Sequence, residues 1–505
     1  MDYPMRSARI FHYVPKIKPC PASPRSRATQ DTKHPPFTID PLIISHVCSR
    51  WRQTAIHTSV LWSHIDLQPD LDQADIPRSI ARLETFIERS GQILLNIHIL
   101  DPIFNLNPFD ISINEHDSYL QPYIELIAPR TKSLTLESSS GLDDGKHPHA
   151  TLAAFFAKCV PGTLKTLTIE IPVSRPSSSQ WLPHPSIQDQ ATFSLPVDNI
   201  ESLFCSITTL RLCGYYPQAD SQAYHGLIEL RLHSYRSNEI TESALISALR
   251  SSPRLQVFYF TFKITDPLPE NALITPVHPD DLEVFGWSLT NQEQIGNLLR
   301  WLYPGSKPLS VSMSSPFTLS APRTFVAKDE TEKFLARSRV TKLCLYSIEG
   351  YLLTEVLKLA PHVRILAIAG MRGGVEDAQA SQTPAPIVPQ VPSNTWSLGW
   401  SWSGTRNLPT LNVPILGDSK ASELQHPLDS LYIVRSFFAP SPKWNTIREL
   451  VRKHRVRRLT LWSFDSHYYE NGGHMKCVPP DDLYTVCPVV NIIPVGEPNP
   501  VEDWC

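Results

Sequence analysis

The chain has 505 residues, a formal net charge of −3, and 19% charged and 41% hydrophobic residues. The near-balanced charge excludes the basic profile of most nucleic-acid binders and gives no electrostatic reason for membrane attachment. The apolar content is enough to bury a large core, either as one long repeat array or as about three ordinary domains. Glycine is scarce (19) and proline abundant (47), which suits many short elements with proline stops.

The nine cysteines are dispersed and never form C-x-x-C, so no disulfide framework is expected. They read as small buried residues in a reducing compartment. No apolar run reaches the roughly 18–20 residues that span a bilayer. The first thirty residues contain no continuous apolar core of a secretory signal. The expected location is therefore the cytoplasm or nucleus.

In chain order, residues 1–39 read as a disordered basic, Pro-rich tail. Asp40 is a candidate N-cap, with Pro41 at the first helical position. Ile43, Val47, Trp51 and Ala55 recur every four residues, which predicts one amphipathic helix from Leu42 to Thr58 with these residues on a single apolar stripe. The segment Ser59 to Leu67 is short, apolar and alternating towards its end. It is expected to pack back on that helix.

Beyond residue 75 a unit recurs: an amphipathic helix, often ending near a proline, and then a short strand of the form L-x-L. Pro129, Pro161, Pro253, Pro304 and Pro361 mark such stops. Strands are expected from Leu95, Leu134, Leu164, Leu210, Leu230, Leu255, Leu282, Leu309, Leu343, Ile365, Leu431 and Leu459. The starts at 210, 230, 255, 282 and 309 are 20, 25, 27 and 27 residues apart. Ile240, Ala244, Leu245, Ala248 and Leu249 share one helical face, as do Leu352, Leu353, Val356, Leu357 and Ala360.

A unit this small cannot bury its own apolar face, but stacked neighbours share a continuous core. The expected fold is therefore α/β: a leucine-rich-repeat-like solenoid over 75–495, with parallel strands on one face and helices on the other. A doubly wound α/β domain is the competing architecture. The array is interrupted at 172–190 and, as a flexible insertion, at about 372–427. Trp396, Trp400 and Trp402 either form a binding tip there or tuck the insertion onto the scaffold. The x positions Thr135, Thr168, Arg211, Arg231 and Thr460 are expected to point away from the helices.

No phosphate-binding, dinucleotide, zinc-protease or nucleophile-elbow motif occurs, so no catalytic residue and no cofactor is assigned. His467, His474, Cys477 and Cys487 are zinc-ligand types, but their spacing matches no familiar finger, and no metal centre is assigned. The pairs Asp143-Asp144, Asp280-Asp281 and Asp481-Asp482 read as helix or turn caps. The basic run Arg452 to Arg458 reads as the last turn of a helix, with a nuclear signal or a phosphate site as the alternative.

The segment from Pro41 to Leu67 resembles the second half of an F-box, as found in large fungal F-box families. The matching residues are Val47-Cys48-Ser49-Arg50-Trp51-Arg52, Thr54-Ala55-Ile56 and Leu61-Trp62-Ser63-His64-Ile65. Looser similarity continues through Arg82–Gly91, Pro276–Val284, Leu302–Ser312 and Cys487–Val490. The resemblance implies a non-enzymatic recognition subunit of an SCF-type ubiquitin ligase. Such a subunit binds a Skp-type adaptor through residues 41–67 and a protein substrate through the repeats, without nucleic acid or membrane. Its adaptor-contacting residues would be Ile43, Val47, Trp51, Leu61 and Trp62. The family's opening helix, L-P-x-E-[IL]-[IL], has no counterpart before Pro41. This leaves an alternative: a repeat-based interaction scaffold with a vestigial F-box and no role in ubiquitin transfer, in which those five residues only pack beneath the first repeat.

Overall fold

The computed structural model describes residues 41–67, 75–101, 120–138, 146–171, 197–213, 216–218, 220–233, 239–269, 272, 275–287, 295–314, 328–346, 350–369, 427–434, 444–462, 467–468, 474–475, 481–494, 499–501 and 504. The tail at 1–39, Asp40, the interruption at 172–190, Asp143-Asp144, Cys477 and the insertion up to residue 426 with its three tryptophans lie outside the described residues.

Two short helices, α1 (Pro41–Ser45) and α2 (Ser49–His57), come first, followed by a 3₁₀ turn at Ser59–Trp62. The strands are β1 (His64–Leu67), β2 (Leu95–Asp101), β3 (Thr131–Ser138), β4 (Thr166–Glu170), β5 (Thr209–Cys213), β6 (Glu229–His233), β7 (Glu239–Thr241), β8 (Val257–Phe260), β9 (Lys263–Thr265), β10 (Val284–Trp287), β11 (Leu309–Ser314), β12 (Val340–Tyr346), β13 (Ile365–Ala369), β14 (Ser430–Val434), β15 (Arg458–Trp462), β16 (His467–Tyr468), β17 (His474–Met475) and β18 (Val489–Ile493). The longer helices between them are α3 (Ile76–Ser90), α4 (Gln121–Ile127), α5 (Lys146–Lys158), α6 (Val197–Phe204), α7 (Glu242–Arg250), α8 (Ile295–Leu299), α9 (Lys328–Arg337), α10 (Gly350–Leu359) and α11 (Trp444–Lys453), with a last short turn α12 (Leu483–Val486).

Fourteen strands form one sheet in the order β1-β2-β3-β4-β5-β6-β8-β10-β11-β12-β13-β14-β15-β18. Every pairing within it is parallel. Parallel neighbours need a crossover between them, and the helices supply most of these. Each new strand lies beside the previous one. A doubly wound sheet would instead reverse its order at a switch point. β7 with β9, and β16 with β17, form separate two-stranded pairs.

The leucines of L-x-L make the core. Ile65, Ile97, Leu134, Leu167, Leu210, Leu230, Phe258, Phe285, Val311, Leu343, Leu366, Leu431 and Leu459 align in one register row across the sheet, and all are buried. The apolar helix residues Phe86, Ile127, Phe155, Leu203, Leu245, Leu298, Phe334, Val356 and Val451 join the same cluster, which places the helices on that face. Each such side chain contributes roughly 1.5–3 kcal/mol of burial free energy. In the middle strands phenylalanine replaces leucine, and Phe258 stacks on Phe285 at 5.7 Å.

A buried carboxylate ties the segments around the middle strands together. Glu242, the first residue of α7, is fully buried and accepts from five donor contacts. Arg300 reaches it through Nε (3.1 Å) and Nη2 (2.7 and 2.8 Å), the Trp301 indole through Nε1 (2.9 Å), and the Leu268 amide at 2.6 Å. One side chain thus joins three segments that are distant in sequence.

Several sequence expectations are corrected. The single helix from Leu42 to Thr58 is two helices, divided at Cys48, whose backbone is extended (φ −159°, ψ 171°). Tight turn bonds from His46 to Ile43 and from Val47 to Ile44 end α1, and the Arg52 guanidinium donates to the Ser45 carbonyl at 2.9 Å. Of the four stripe residues only Ala55 is buried, while Ile43, Val47 and Trp51 are exposed. Ile240 belongs to β7 rather than to α7. The strands expected from Leu164, Leu255 and Leu282 each begin two residues later. Asp482 precedes α12 but pairs with Arg448 at 2.7 Å instead of capping. Asp280 and Asp281 lie in a turn closed by the Leu282 amide on the Pro279 carbonyl, and Asp281 also pairs with Lys307 at 3.0 Å. The basic run begins as expected, with Arg452 and Lys453 in the last turn of α11, and then leaves the helix: Arg455 makes the turn (φ 45°) and Arg458 opens β15.

Candidate functional site

Two surfaces stand out, and strand alternation accounts for the second. The first is the segment 41–62. The 3₁₀ turn buries Trp62 completely beneath α2, where its indole Nε1 donates to the Ala55 carbonyl at 2.7 Å. Phe86 of α3 meets the indole edge-on at 5.1 Å, and the Arg89 guanidinium lies 4.4 Å above the ring. Leu61 is buried beside it. With these two residues as the anchor, the segment also exposes Ile43 at 69%, Val47 at 64%, Val60 at 65%, Trp51 at 38% and Ile56 at 36%. The five expected contact residues therefore split: Leu61 and Trp62 pack, and Ile43, Val47 and Trp51 face outward.

The second surface is the sheet face opposite the helices. Successive residues of a strand point to opposite faces, so the x positions form their own row: Asp66, His98, Thr135, Thr168, Arg211, Arg231, Tyr259, Gly286, Ser312, Cys344, Ala367, Tyr432, Thr460 and Asn491. All five x residues anticipated from the sequence lie in this row. Thr168 and Thr460 are nevertheless buried at 4% exposure.

The first six strands carry titratable groups in a chain of contacts. His64 and Asp66 are two residues apart on β1, and His98 stands opposite Asp66 on β2. Asp66 Oδ1 lies 3.1 Å from both His64 Nε2 and His98 Nδ1. Partial burial works to raise the Asp66 carboxyl, but the hydrogen bonds and charges of the two imidazoles outweigh it and hold the group well below the usual carboxylate range. His98 is buried, and its Nε2 approaches Glu137 Oε1 on β3 at 3.3 Å. Glu137 is paired in register with Glu170 on β4. Burial, followed by the adjacent Glu137 charge, pushes Glu170 up to about 7.

On β5 and β6 the Arg211 guanidinium grips Glu229 with two parallel bonds (2.8 and 3.0 Å), and Arg231 Nε adds a third at 2.6 Å. Burial opposes ionisation of Glu229, yet its two arginines hold it below its ordinary value. The charged row ends where His233 stacks on Tyr259 at 4.5 Å.

At the other end of this face the character changes. Cys344, Ala367, Ala369 and Val434 form a small apolar cluster with Val501, bordered by Tyr346, Tyr432, Trp462 and Trp504. Trp504 meets Tyr432 edge-on at 5.1 Å. Residues 501 and 504 thus lie against the face that the helices leave free.

Neither surface was complete in the sequence. His64, Asp66 and His98 sat in recognised alternating segments, but only the β1–β2 register brings His98 to Asp66. Of the zinc-ligand types weighed near the end of the chain, Cys487 is buried in the main core. Its thiol is raised by burial. His467 and His474 lie on β16 and β17. No family model matches the chain, and no curated protein matches it in sequence. No helix among the described residues is long and apolar enough to cross a membrane.

Proposed function

We propose that this chain is a non-enzymatic recognition subunit: a leucine-rich-repeat-like solenoid that holds a protein substrate on its open sheet face and engages a Skp-type adaptor of an SCF ubiquitin ligase through residues 41–67. The observation that carries the adaptor half is the outward display of Ile43, Val47 and Trp51 on a segment anchored by Leu61 and Trp62. A segment that merely packed beneath the first repeat would bury its apolar stripe. Several exposed apolar side chains within so short a segment fit a partner, and the resemblance of this segment to an F-box names the class of partner.

The solenoid half draws support from the strand order, in which each unit adds next to the last. A recognition role is favoured over catalysis by extent. The charged row crosses six strands at about 4.8 Å spacing, roughly 24 Å in all. That is the scale of an interface rather than of a single reacting centre, and its arginines and Glu229 are already paired with one another.

Co-purification of the full chain with a Skp-type adaptor tests this reading. Ile43→Asp combined with Val47→Asp should abolish capture while leaving the far-UV circular dichroism unchanged. No capture of the unaltered chain, under conditions where a complete F-box protein is captured, would overturn the ligase role and leave the alternative of a repeat-based scaffold with a vestigial F-box.

A further inference from the structure

We infer that His64, Asp66 and His98 form a zinc(II) site at the β1 edge of the sheet, with Glu137 supporting His98 from behind. His64, Asp66 and His98 each offer a ligand atom, and all three atoms lie within 4.8 Å of one another. Zinc takes nitrogen and oxygen ligands at about 2.0–2.1 Å in a tetrahedron, which sets neighbouring ligand atoms about 3.3 Å apart. The two Asp66 contacts, each 3.1 Å, are close to that edge length. The third edge, between the two imidazole nitrogens, is bounded at 4.8 Å and would close towards that length when an ion is seated.

The support behind His98 is the independent observation. A metal-bound imidazole almost always presents its other ring nitrogen to a carboxylate, a carbonyl or water, which fixes its tautomer and aim. His98 directs Nδ1 at the cluster and has the Glu137 carboxylate 3.3 Å from Nε2, at side-chain exposures of 5% and 12%. At this distance the two groups form an ion-pair contact without hydrogen-bond geometry, so a small turn of the imidazole would be needed to complete a carboxylate–histidine–metal relay. Such a relay also accounts for a buried imidazole set between two carboxylates.

Charge agrees with this assignment. Asp66, Glu137 and Glu170 crowd the first four strands, and a dication offsets that surplus. Asp66 and His64 are about 40% and 37% exposed, so the cluster opens to solvent on one side. Three protein ligands with a fourth position open to water is the pattern of a zinc site that can accept a further donor. Two imidazoles and one carboxylate suit zinc better than calcium or magnesium, which prefer all-oxygen shells.

Zinc chloride titrated calorimetrically into the full chain tests the site, with cobalt(II) as a spectroscopic stand-in. One zinc per chain is expected, together with the visible absorption of tetrahedral cobalt. His64→Ala and Asp66→Ala alter partly exposed positions, so the fold should persist by circular dichroism. Each should weaken zinc at least 10-fold and remove the cobalt bands. Glu137→Gln, which alters only the supporting contact, should weaken zinc by about 10–100-fold. Absence of stoichiometric zinc binding would overturn the site. So would affinity within twofold of the unaltered chain in the His64→Ala/Asp66→Ala double variant, because the ion would then sit on other imidazoles. An unchanged Glu137→Gln affinity would overturn the role given to Glu137.

Discussion

Replacing Trp62 by alanine isolates what holds the 41–62 segment to the sheet. The side chain is fully buried, and truncation of a buried aromatic to alanine costs about 3–5 kcal/mol through lost transfer energy and the cavity left behind. The edge-on contact with Phe86 and the Arg89 guanidinium over the ring keep the value towards the upper end. The lost indole hydrogen bond adds little, because the Ala55 carbonyl still accepts from the Thr58 amide at 3.2 Å. A figure near 4 kcal/mol follows, or about a 10³-fold change in a local opening equilibrium at roughly 1.4 kcal/mol per decade. A global melting curve averages over all 505 residues and would not report on this segment alone. Native-state hydrogen exchange reads the segment directly. Amides of α2 should lose protection by up to about 10³-fold, with β12 to β15 unchanged. Trp62→Phe, which keeps most of the ring, should lose only about 1–2 kcal/mol. If α2 in Trp62→Ala keeps its protection within threefold, the anchoring described above is wrong.

Glu242→Ala should destabilise the chain by about 3–5 kcal/mol, because Arg300 and the Trp301 indole would lose a shared buried acceptor. Urea unfolding monitored by tryptophan fluorescence would show it, and an effect below 1 kcal/mol would contradict the network. Gly286→Ala would place a Cβ 2.2 Å from the Tyr259 ring. A cost of about 1–3 kcal/mol is expected, and Tyr259→Ala in the same chain should relieve part of it. A purely additive double-mutant cycle would argue against the clash. Glu170 titrates at about 7 in the fold and near 4.5 in the unfolded chain. Between those values the folded state holds the extra proton, so this group's stabilisation is present below about pH 4.5 and is lost as pH rises to 7. The difference in stability between Glu170→Gln and the unaltered chain should therefore shift in favour of the variant across that window. A difference that stays flat with pH would refute the assignment.

The strands were legible because L-x-L reports both their period and their buried face, and the x residues came with it. Helix boundaries were less so. The stripe of Ile43, Val47, Trp51 and Ala55 has helical spacing, but spacing does not say which side finds a neighbour. Here the segment breaks at Cys48, and Trp62 claims the Ala55 side. The Glu242 network was invisible because its donors come from residues 268, 300 and 301, which only the fold assembles. The His98 contacts were hidden for the same reason. Each half sat in a recognised strand, but the strand register joins them, and register is a tertiary fact.

The face opposite the helices has two chemistries along its length, and this makes it a ruler for any partner that lies on it. Over β1 to β6 contacts would run through carboxylates, imidazoles and guanidinium groups, and their strength would respond to ionic strength and to pH near 7. Over β12 to β15 residues 501 and 504 already lie against the strands, carboxylates and imidazoles give way to an apolar and aromatic patch, and the exposed charges beside it, Lys342 and Arg458, are cations only. A ligand's position along the sheet would thus be written into the pH dependence of its affinity, before any contact has been mapped.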